Sequence, residues 1–346
     1  MTPRPAALLL AVALLAVAAA AAEIPVRRVD AEPAGDPRDR SWLTLPAVEL
    51  RLLPQTSVPP ATLPAAGHVD DRLRVRAQRG PTRLALHLEW RDPRPAKTHG
   101  IGRFADAAAV QWPLAAIAPE PAAEPPYLGM GHRGAPVEIW FWRADGKRER
   151  LAAAGFGTLT TQPGDLRARA EWQRGRWRVV IAAAADPARA TLPVAFAVWS
   201  GEDGERDGLK RVTAWQTLRL DSPMTEAAVG NDKLVAEAAT ADAPASRPPA
   251  GDAARGARLM QDKGCAGCHA YPGNPGEPAT GPDLRQAGAL HTGAYLAESL
   301  AEPSRIIVPG RGYFVETEGH RASIMPPFDG SRAERDDLVA FLRSLR

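Results

Sequence analysis

Two patterns of hydrophobic residues divide the chain at about residue 250. Before that point, short apolar runs alternate with polar positions, a period of two that is typical of β-strands. Clusters of Pro, Gly and Asp separate these runs, and no helical segment lies between them, which favours an antiparallel β-sandwich. The predicted strands are Leu84–Trp90, Ala107–Trp112, Val137–Trp142, Trp177–Ala182, Val194–Trp199 and Val212–Leu220.

After residue 250 the spacing of apolar residues predicts helices. Asp252 is placed to cap a helix that runs to about Lys263, and a second helix is expected over Thr292–Leu300. The run Ser331-Arg332-Ala333-Glu334 is a capping box, and the apolar positions that follow it lie on one helical stripe. Those positions are Leu338, Phe341, Leu342 and Leu345. The sequence therefore predicts an N-terminal antiparallel β-sandwich and a C-terminal all-α domain.

The first 22 residues have the composition of an export signal. Arg4 precedes an apolar run of Ala, Leu and Val, and the small residues Ala20 and Ala22 form an A-x-A cleavage site before Glu23. An uncleaved anchor helix is the alternative, although the run is at the short end of the roughly 20 apolar residues that a membrane span needs. We expect a cleaved signal and no membrane span in the mature chain.

Composition supports four consecutive regions. All nine tryptophans lie between Trp42 and Trp215, and both cysteines come after residue 260. A stretch rich in Ala, Pro, Asp and Thr, without a sustained apolar face, separates these two regions and is typical of a flexible linker. The predicted regions are a signal peptide at 1–22, a β-sandwich domain at 23–222, a linker at 223–250 and a helical domain at 251–346.

The charge of the chain does not indicate nucleic-acid binding. The formal net charge is +3 and the sequence pI is about 9.1. Arginines are spread along the chain and interleaved with acids, without the basic cluster that a nucleic-acid site requires. We therefore expect no nucleic-acid partner.

The two cysteines form the motif Cys265-Ala266-Gly267-Cys268-His269, which is the C-x-x-C-H signature of covalent haem attachment. Two thiols add to the two vinyl groups of the haem, and the adjacent histidine then faces the iron. A thioredoxin-like dithiol would need a βαβ context, and a zinc site would need two further ligands. The motif therefore predicts one covalent haem c, attached through Cys265 and Cys268 with His269 on the iron.

Residues 251–346 resemble the class I cytochromes c. In that family a methionine on a loop before the C-terminal helix is the second iron ligand, and Met325 in Ser323-Ile324-Met325-Pro326-Pro327 matches it. The stretch Gly281-Pro282-Asp283-Leu284 resembles the segment whose proline carbonyl receives the histidine ring proton. His291 and His320 are the competing ligands. Histidine–methionine ligation raises the reduction potential and suits an electron carrier.

The β-rich half resembles the haem b domain of ethylbenzene dehydrogenase gamma subunits. The resemblance lies in Leu128-Gly129-Met130-Gly131, in the run from Pro136 to Asp145, and in Val194–Trp199 followed by Gly208-Leu209-Lys210. Similar subunits accompany dimethyl sulfide dehydrogenase, selenate reductase and chlorate reductase, which are periplasmic molybdenum enzymes. The resemblance implies a non-covalent haem b whose iron is bound by Met130 and Lys210.

Alternatives to this haem b site remain open. Met130 could be a packing residue, Lys210 could be solvated as most lysines are, and His132 is a competing ligand. Lysine ligation requires a neutral amine, and arginine could not replace it because arginine keeps its proton. This requirement makes a lysine at residue 210 informative, since the chain contains only five lysines among 43 basic residues.

Together the resemblances imply a periplasmic dihaem electron-transfer protein without catalytic residues of its own. Its expected partners are the iron–sulfur and molybdopterin subunits of an oxidoreductase and a soluble or membrane-bound redox protein. The alternative is a monohaem cytochrome c fused to a carbohydrate-binding-like β-sandwich, for which a row of exposed tryptophans would be expected. A peroxidase, the third possibility, would need an open haem position.

Overall fold

The computed structural model describes residues 22–55, 69–114, 125–132, 134–184, 190–220, 251–276, 280–307 and 312–346. Residues 1–21 of the predicted signal peptide and the whole predicted linker at 223–250 lie outside this part of the chain. Within it, no helix is both long and apolar enough to cross a membrane.

The N-terminal half consists almost entirely of strands, with one short helix, α1, at Arg40–Leu43. The strands are β1 (Glu23–Arg28), β2 (Val48–Arg51), β3 (Leu53–Pro54), β4 (Arg72–Arg79), β5 (Arg83–Arg91), β6 (Ala107–Pro113), β7 (Val137–Arg143), β8 (Arg148–Ala153), β9 (Thr160–Thr161), β10 (Leu166–Gln173), β11 (Arg176–Ala184), β12 (Thr191–Trp199), β13 (Arg211–Val212) and β14 (Gln216–Leu220).

These strands form two layers that share β12. The first part of β12 pairs with β14, in a sheet that continues through β1, β4, β5, β11 and β10. From Ala195 onward β12 pairs with β6 instead, which leads to β7, β8 and β9. Apolar side chains of both layers, including Trp90, Trp140 and Phe196, pack into one buried core. The predicted sandwich is confirmed, with mainly antiparallel pairing and two parallel pairs made by β1.

The predicted last strand, Val212–Leu220, is wrong in one respect, because it is interrupted. Thr213 leaves the ladder of its own strand and bonds Phe196 twice, donating its N–H to the Phe196 carbonyl and accepting the Phe196 N–H on its hydroxyl. The indole of Trp215 turns to donate to the Pro126 carbonyl at 2.9 Å. The segment is therefore divided into β13 and β14.

The C-terminal part is mainly helical. Its helices are α2 (Ala253–Asp262), a 3₁₀ turn at Cys265–Gly267, α3 (Ala287–Leu290), α4 (Gly293–Ala301) and α5 (Arg332–Ser344). The predicted caps at Asp252 and Ser331 are present, and Glu334 closes the capping box. The all-α expectation holds apart from a hairpin, β15 (Phe314–Thr317) and β16 (His320–Ser323).

The first and last of these helices cross closely at Gly256. A Cβ placed on this glycine would lie 2.0 Å from the Asp337 carbonyl oxygen, so no larger residue fits at the crossing. The buried Asp337 carboxylate accepts the Asp252 N–H and is paired with Arg255. These contacts hold α2 against α5 and form the frame that carries the C-x-x-C-H segment.

Candidate functional site

The C-x-x-C-H segment forms a tight turn immediately after α2. Gly264 enters the turn with φ of 74°, in the left-handed region that favours glycine. The amides of Cys268 and His269 both donate to the Cys265 carbonyl, at 3.2 and 3.0 Å. Cys265 is half-buried and Cys268 is exposed. The turn therefore places two thiols and one imidazole on a single short loop.

The imidazole of His269 has a defined orientation. Its Nδ1 lies 2.8 Å from the Pro282 carbonyl oxygen, which can only accept, so Nδ1 carries the proton and Nε2 keeps its lone pair. Burial lowers the pKa of His269, which favours the neutral ring. Gly281 lies against the ring, because a Cβ there would approach His269 Cε1 to 2.5 Å. The residues fit a haem c, with Nε2 free to bind the iron.

Met325 lies in the same apolar cluster as this loop. The cluster contains α2, α4 and α5 residues, and both Met325 and Cys265 pack against it. Met325 is half-buried outside any helix, and its N–H donates to the Ser323 hydroxyl at 3.1 Å. Met260 is 2 % exposed in the core of the cluster, where it packs. Of the two competing histidines, His320 is exposed in β16, while His291 stacks on aromatic rings described below.

A second apolar cluster covers the outer face of the β6–β7–β12 layer. Because side chains alternate along a strand, one set of residues faces the sandwich core and the other faces this cluster. Five alanines belong to the latter set: Ala107, Ala109, Ala153, Ala195 and Ala197. Phe141 and Trp199 are the ladder partners of Ala109 and Ala107 and belong to the same cluster. This alanine-rich face is therefore mostly apolar, which is compatible with contact to an apolar macrocycle.

Met130 packs against this alanine-rich face from a strained loop. Its φ is 73°, a left-handed conformation that costs a non-glycine residue on the order of 1–3 kcal/mol. Gly131 also has a positive φ, of 71°, and Gly129 lies so close to the Tyr127 ring that a Cβ would reach 2.4 Å from it. The close contact at Gly129 and the positive φ of Gly131 thus explain why a glycine stands on each side of Met130. The loop presents the half-buried Met130 thioether at the face.

Lys210 lies beside the same face. Its Nζ is 4.9 Å from the centre of the Trp199 ring, and Trp199 belongs to the apolar cluster against which Met130 packs. Burial lowers the pKa of Lys210 to about 8, with the charge of Asp207 opposing that shift. Its carbonyl is held by the Gln55 N–H at 2.9 Å. A thioether and an amine whose pKa is lowered by burial are groups that could bind a haem b iron.

His132, the competing ligand, is half-buried two residues after Met130. It forms an isolated bridge with Ala135, and its Nδ1 is buried without a hydrogen-bond partner among the described residues. The structure thus brings Met130 and Lys210 to one apolar face and keeps His132 close to it. The assignment of Met130 and Lys210 as ligands stays a prediction.

Sequence reasoning missed two parts of this arrangement. One is the alanine-rich face, although the alternation of Ala195 and Ala197 with Val194, Phe196 and Val198 was a signal for it. The other is a contact between the two halves of the chain: the ring of Tyr127 stacks on Tyr295 at 4.5 Å, and His291 lies at 4.7 Å from the same tyrosine. No local pattern could show that these distant residues meet.

The fold and the C-x-x-C-H turn define the class of protein as a cytochrome c-type chain in which a β-sandwich with an alanine-rich apolar face precedes a helical domain with a haem-attachment turn. The ethylbenzene dehydrogenase family matches residues 39–164, and the cytochrome c family matches residues 253–346. Met130 lies within the first match, whereas Lys210 lies beyond its end.

Three proteins are similar to this chain, with identities of 31 to 36 %. The chain is 36 % identical over 205 residues, 56 % of its length and 71 % of the relative's, to the putative respiratory nitrate reductase heme subunit ORF7 of Haloferax mediterranei. It is 35 % identical to the chlorate reductase subunit gamma of Ideonella dechloratans, covering 54 % of this chain and 80 % of the relative. It is 31 % identical to the dimethylsulfide dehydrogenase subunit gamma of Rhodovulum sulfidophilum, covering 57 % and 78 %.

The chain belongs to the family of these gamma and heme subunits, and it joins their ethylbenzene dehydrogenase-type domain to a cytochrome c domain. Among solved structures, a family 9 carbohydrate binding module from Caldicellulosiruptor kristjanssonii in complex with glucose covers 59 % of this chain and 98 % of its own, with a TM-score of 0.36 and 12 % identity. A likeness at this level carries no argument about sugar binding.

Proposed function

We propose that this chain is a periplasmic dihaem electron-transfer subunit of a molybdopterin oxidoreductase. The observation that carries the proposal is the placement of Met130 and Lys210 beside one alanine-rich apolar face, in a chain that also has a haem-attachment turn. The membership of the chain in a family of oxidoreductase gamma subunits supports the same conclusion.

The helical domain would hold haem c through Cys265 and Cys268, with His269 and Met325 on the iron. The haem supplies a one-electron couple, and histidine–methionine ligation raises its potential. The Pro282 carbonyl orients the His269 ring and increases the basicity of its free nitrogen, because it accepts the Nδ1 proton at 2.8 Å. If His269 and Met325 both bound the iron, the haem would serve electron transfer and not the binding of a substrate, so we assign no catalytic residue.

The sandwich domain would hold haem b between Met130 and Lys210. Burial of the Lys210 amine lowers the cost of removing its proton, which ligation requires. The strained Met130 loop is held by the Gly131 N–H, which donates to the Tyr127 carbonyl, and by the Gly155 N–H, which donates to the Met130 carbonyl. These bonds position the thioether without reliance on the cofactor.

The partners follow from the names of the relatives. Subunits of chlorate reductase and dimethylsulfide dehydrogenase belong to larger enzymes, so we infer that this chain works beside iron–sulfur and molybdopterin subunits and passes electrons to or from a further redox protein. We also infer export to the periplasm with cleavage before Glu23. A mature N-terminus at Glu23 in the periplasmic fraction would support it, and retention of residues 1–22 in the cytoplasm would overturn it.

A pyridine haemochrome spectrum before and after acid–acetone extraction tests the haem content. We expect one extractable b-type haem and one retained c-type haem per chain. Retained c haem alone would remove Met130 and Lys210 as ligands and would return the sandwich to the carbohydrate-binding alternative. The burial of the tryptophans opposes that alternative, since all nine lie in the described residues and none is exposed.

Purification of the native protein tests the partners. We expect it to co-purify with a molybdenum-containing and an iron–sulfur subunit. A dihaem protein that purifies alone under mild conditions would restrict the proposal to a stand-alone electron carrier.

A further inference from the structure

The loop that carries Met130 is in direct contact with the helical domain. Tyr127 begins this loop and is 3 % exposed. Its ring packs against Gly129, and its carbonyl accepts the Gly131 N–H at 2.8 Å. Tyr127 is therefore part of the framework that presents Met130. A contact made by the Tyr127 ring can thus affect the position of Met130 at the predicted haem b site.

Three aromatic rings from both domains stack on one another. The Tyr127 and Tyr295 rings are 4.5 Å apart with an angle of 27° between their planes. The Tyr127 and His291 rings are 5.8 Å apart and nearly parallel, at 14°. His291 and Tyr295 lie at either side of the start of α4 and are 4.7 Å apart. This set of three residues, the aromatic stack, joins parts of the chain that are more than 160 positions apart.

Apolar burial accompanies the stack. Leu290, at the end of α3, is 4 % exposed and belongs to the same cluster as the alanine-rich face, and Ala289 packs beside it. Tyr295 also packs against the core that contains Cys265 and Met325. A continuous series of contacts thus leads from the Met130 loop through Tyr127 and Tyr295 to the core of the cytochrome domain.

We propose that the aromatic stack is the docking contact that holds the cytochrome domain on the Met130 loop and sets the distance between the two haem sites. The docked state is the one in which an electron passes from one iron to the other, with one iron oxidised, the other reduced and no bond made or broken. This inference rests on the proposed dihaem function for its electron-transfer role, but the docking itself is independent of haem content.

We expect the docking contact to be reversible. Among the described residues, it consists of the three rings together with Leu290 and Ala289, and aromatic pairs contribute modestly beyond the area that they bury. Loss of one ring is therefore expected to shift the ratio of docked to undocked molecules about tenfold. The predicted linker at 223–250 would keep the undocked domain at a high effective concentration.

The test uses the full-length holoprotein and variants on the cytochrome side, because substitution of Tyr127 would also disturb the Gly129 contact. Tyr295→Ala and His291→Ala remove rings from the stack, and Tyr295→Phe keeps the ring as the matched control. Small-angle X-ray scattering gives the maximum dimension of each protein, and pulse radiolysis gives the rate of electron transfer between the haems. Haem content is measured in every sample.

We expect both alanine variants to be more extended than the wild-type protein, with about tenfold slower inter-haem transfer and unchanged haem content, and Tyr295→Phe to behave as wild type. Unchanged dimensions in both alanine variants would overturn the docking contact, whatever the haem content. Wild-type protein without haem b would instead overturn the proposed function, while the scattering result would still decide whether the stack docks the domains.

Discussion

At the scale of a single residue, the proposed haem b site depends on Lys210. Its amine lies over Trp199, and burial lowers its pKa to about 8, so that the neutral form needed for ligation is within reach. Arginine at this position would have similar length but would keep its proton at any working pH.

We therefore predict that Lys210→Arg eliminates the extractable b-type haem and leaves the covalent c-type haem in place. The matched control is Lys97→Arg, since Lys97 also lies over tryptophan rings, 5.7 Å from Trp177 and 5.9 Å from Trp172. Haemochrome spectra after acid–acetone extraction measure the b-type and c-type haem content of both variants. Full b-haem content in Lys210→Arg would contradict the assignment of Lys210 and direct attention to His132.

A second single-residue effect concerns the sandwich itself. Asp92 is 0 % exposed, and burial together with the nearby charge of Asp106 raises its pKa to about 7. Asp106 accepts hydrogen bonds from the Trp177 indole and the Gly201 N–H and is itself buried. An acid whose pKa is raised by folding stabilises the fold only while it is protonated, so this contribution is lost as the pH rises from about 4 through 7.

Asp92→Asn is accordingly expected to be more stable than wild type at pH 8, on the order of 2 kcal/mol, with the difference shrinking toward pH 4. Urea unfolding of the sandwich at several pH values measures this difference in the free energy of unfolding. Asp165→Asn is the control, since that exposed carboxylate has a lowered pKa through its bond with Arg167 and should show no gain at high pH. A gain for Asp92→Asn that did not vary with pH would disprove the titration argument.

At the scale of elements, the segment from Gly281 to Pro282 positions the histidine ligand. A methyl group at residue 281 would meet the His269 ring at 2.5 Å, so Gly281→Ala must displace the ring or the loop. We predict that the reduced haem c of Gly281→Ala binds carbon monoxide, because one axial bond is weakened, whereas the wild-type haem does not.

Gly267→Ala provides the comparison, since it adds the same methyl group inside the C-x-x-C-H turn, where nothing lies within 4 Å of the new Cβ. Spectra under carbon monoxide should match those of wild type. Carbon monoxide binding by neither variant would show that the loop relaxes without loss of the ligand.

The capping box of α5 is a second prediction at this scale. The Ser331 hydroxyl accepts the Glu334 N–H at 3.2 Å, and the Glu334 carboxylate accepts the Ser331 N–H at 2.7 Å. Ser331→Ala should lower the stability of the cytochrome domain by about 1 kcal/mol, and Ser331→Gly by only a few tenths. Urea unfolding followed by the haem absorption measures both, and equal losses would show that the hydroxyl is not the cause.

For the whole molecule, the aromatic stack predicts that docking depends on pH. Burial lowers the pKa of His291 to about 4, and its ring contacts are Tyr127 and Tyr295. Burial raises the pKa of Tyr295, and the nearby Glu298 is paired with Arg305. Because the undocked histidine would take up a proton below about pH 6.5 and the docked one only near pH 4, acid favours the undocked state.

We expect the ratio of docked to undocked molecules to fall by on the order of tenfold between pH 7.5 and pH 5. The maximum dimension from X-ray scattering should rise over that range in the wild-type protein. His291→Asn cannot titrate and should show no such change, and an identical pH response in both proteins would exclude His291 as its source.

The sequence by itself determined whatever depends on local spacing. The C-x-x-C-H turn is encoded by five consecutive residues, and the helix caps at Asp252 and Ser331 are encoded by three or four. The alternation in β5, β6, β7, β11 and β12 can be recognised from neighbouring residues alone. Family resemblance added Met130 and Lys210 as candidates. Strands such as β4 and β10 escaped prediction although their residues alternate, because arginine and alanine occupy most of their positions and they lack the runs of β-branched and aromatic residues that mark the other strands.

Only the tertiary structure decided which distant residues meet. It showed that β1 pairs in parallel at the centre of a sheet, that Met130 and Lys210 border one alanine-rich face, and that Tyr127 stacks on Tyr295. Each of these follows from strand register and domain packing over many residues, which a local pattern does not encode. The candidate ligands could thus be proposed from the sequence and its family resemblance, whereas their common apolar face and the contact between the domains required the fold.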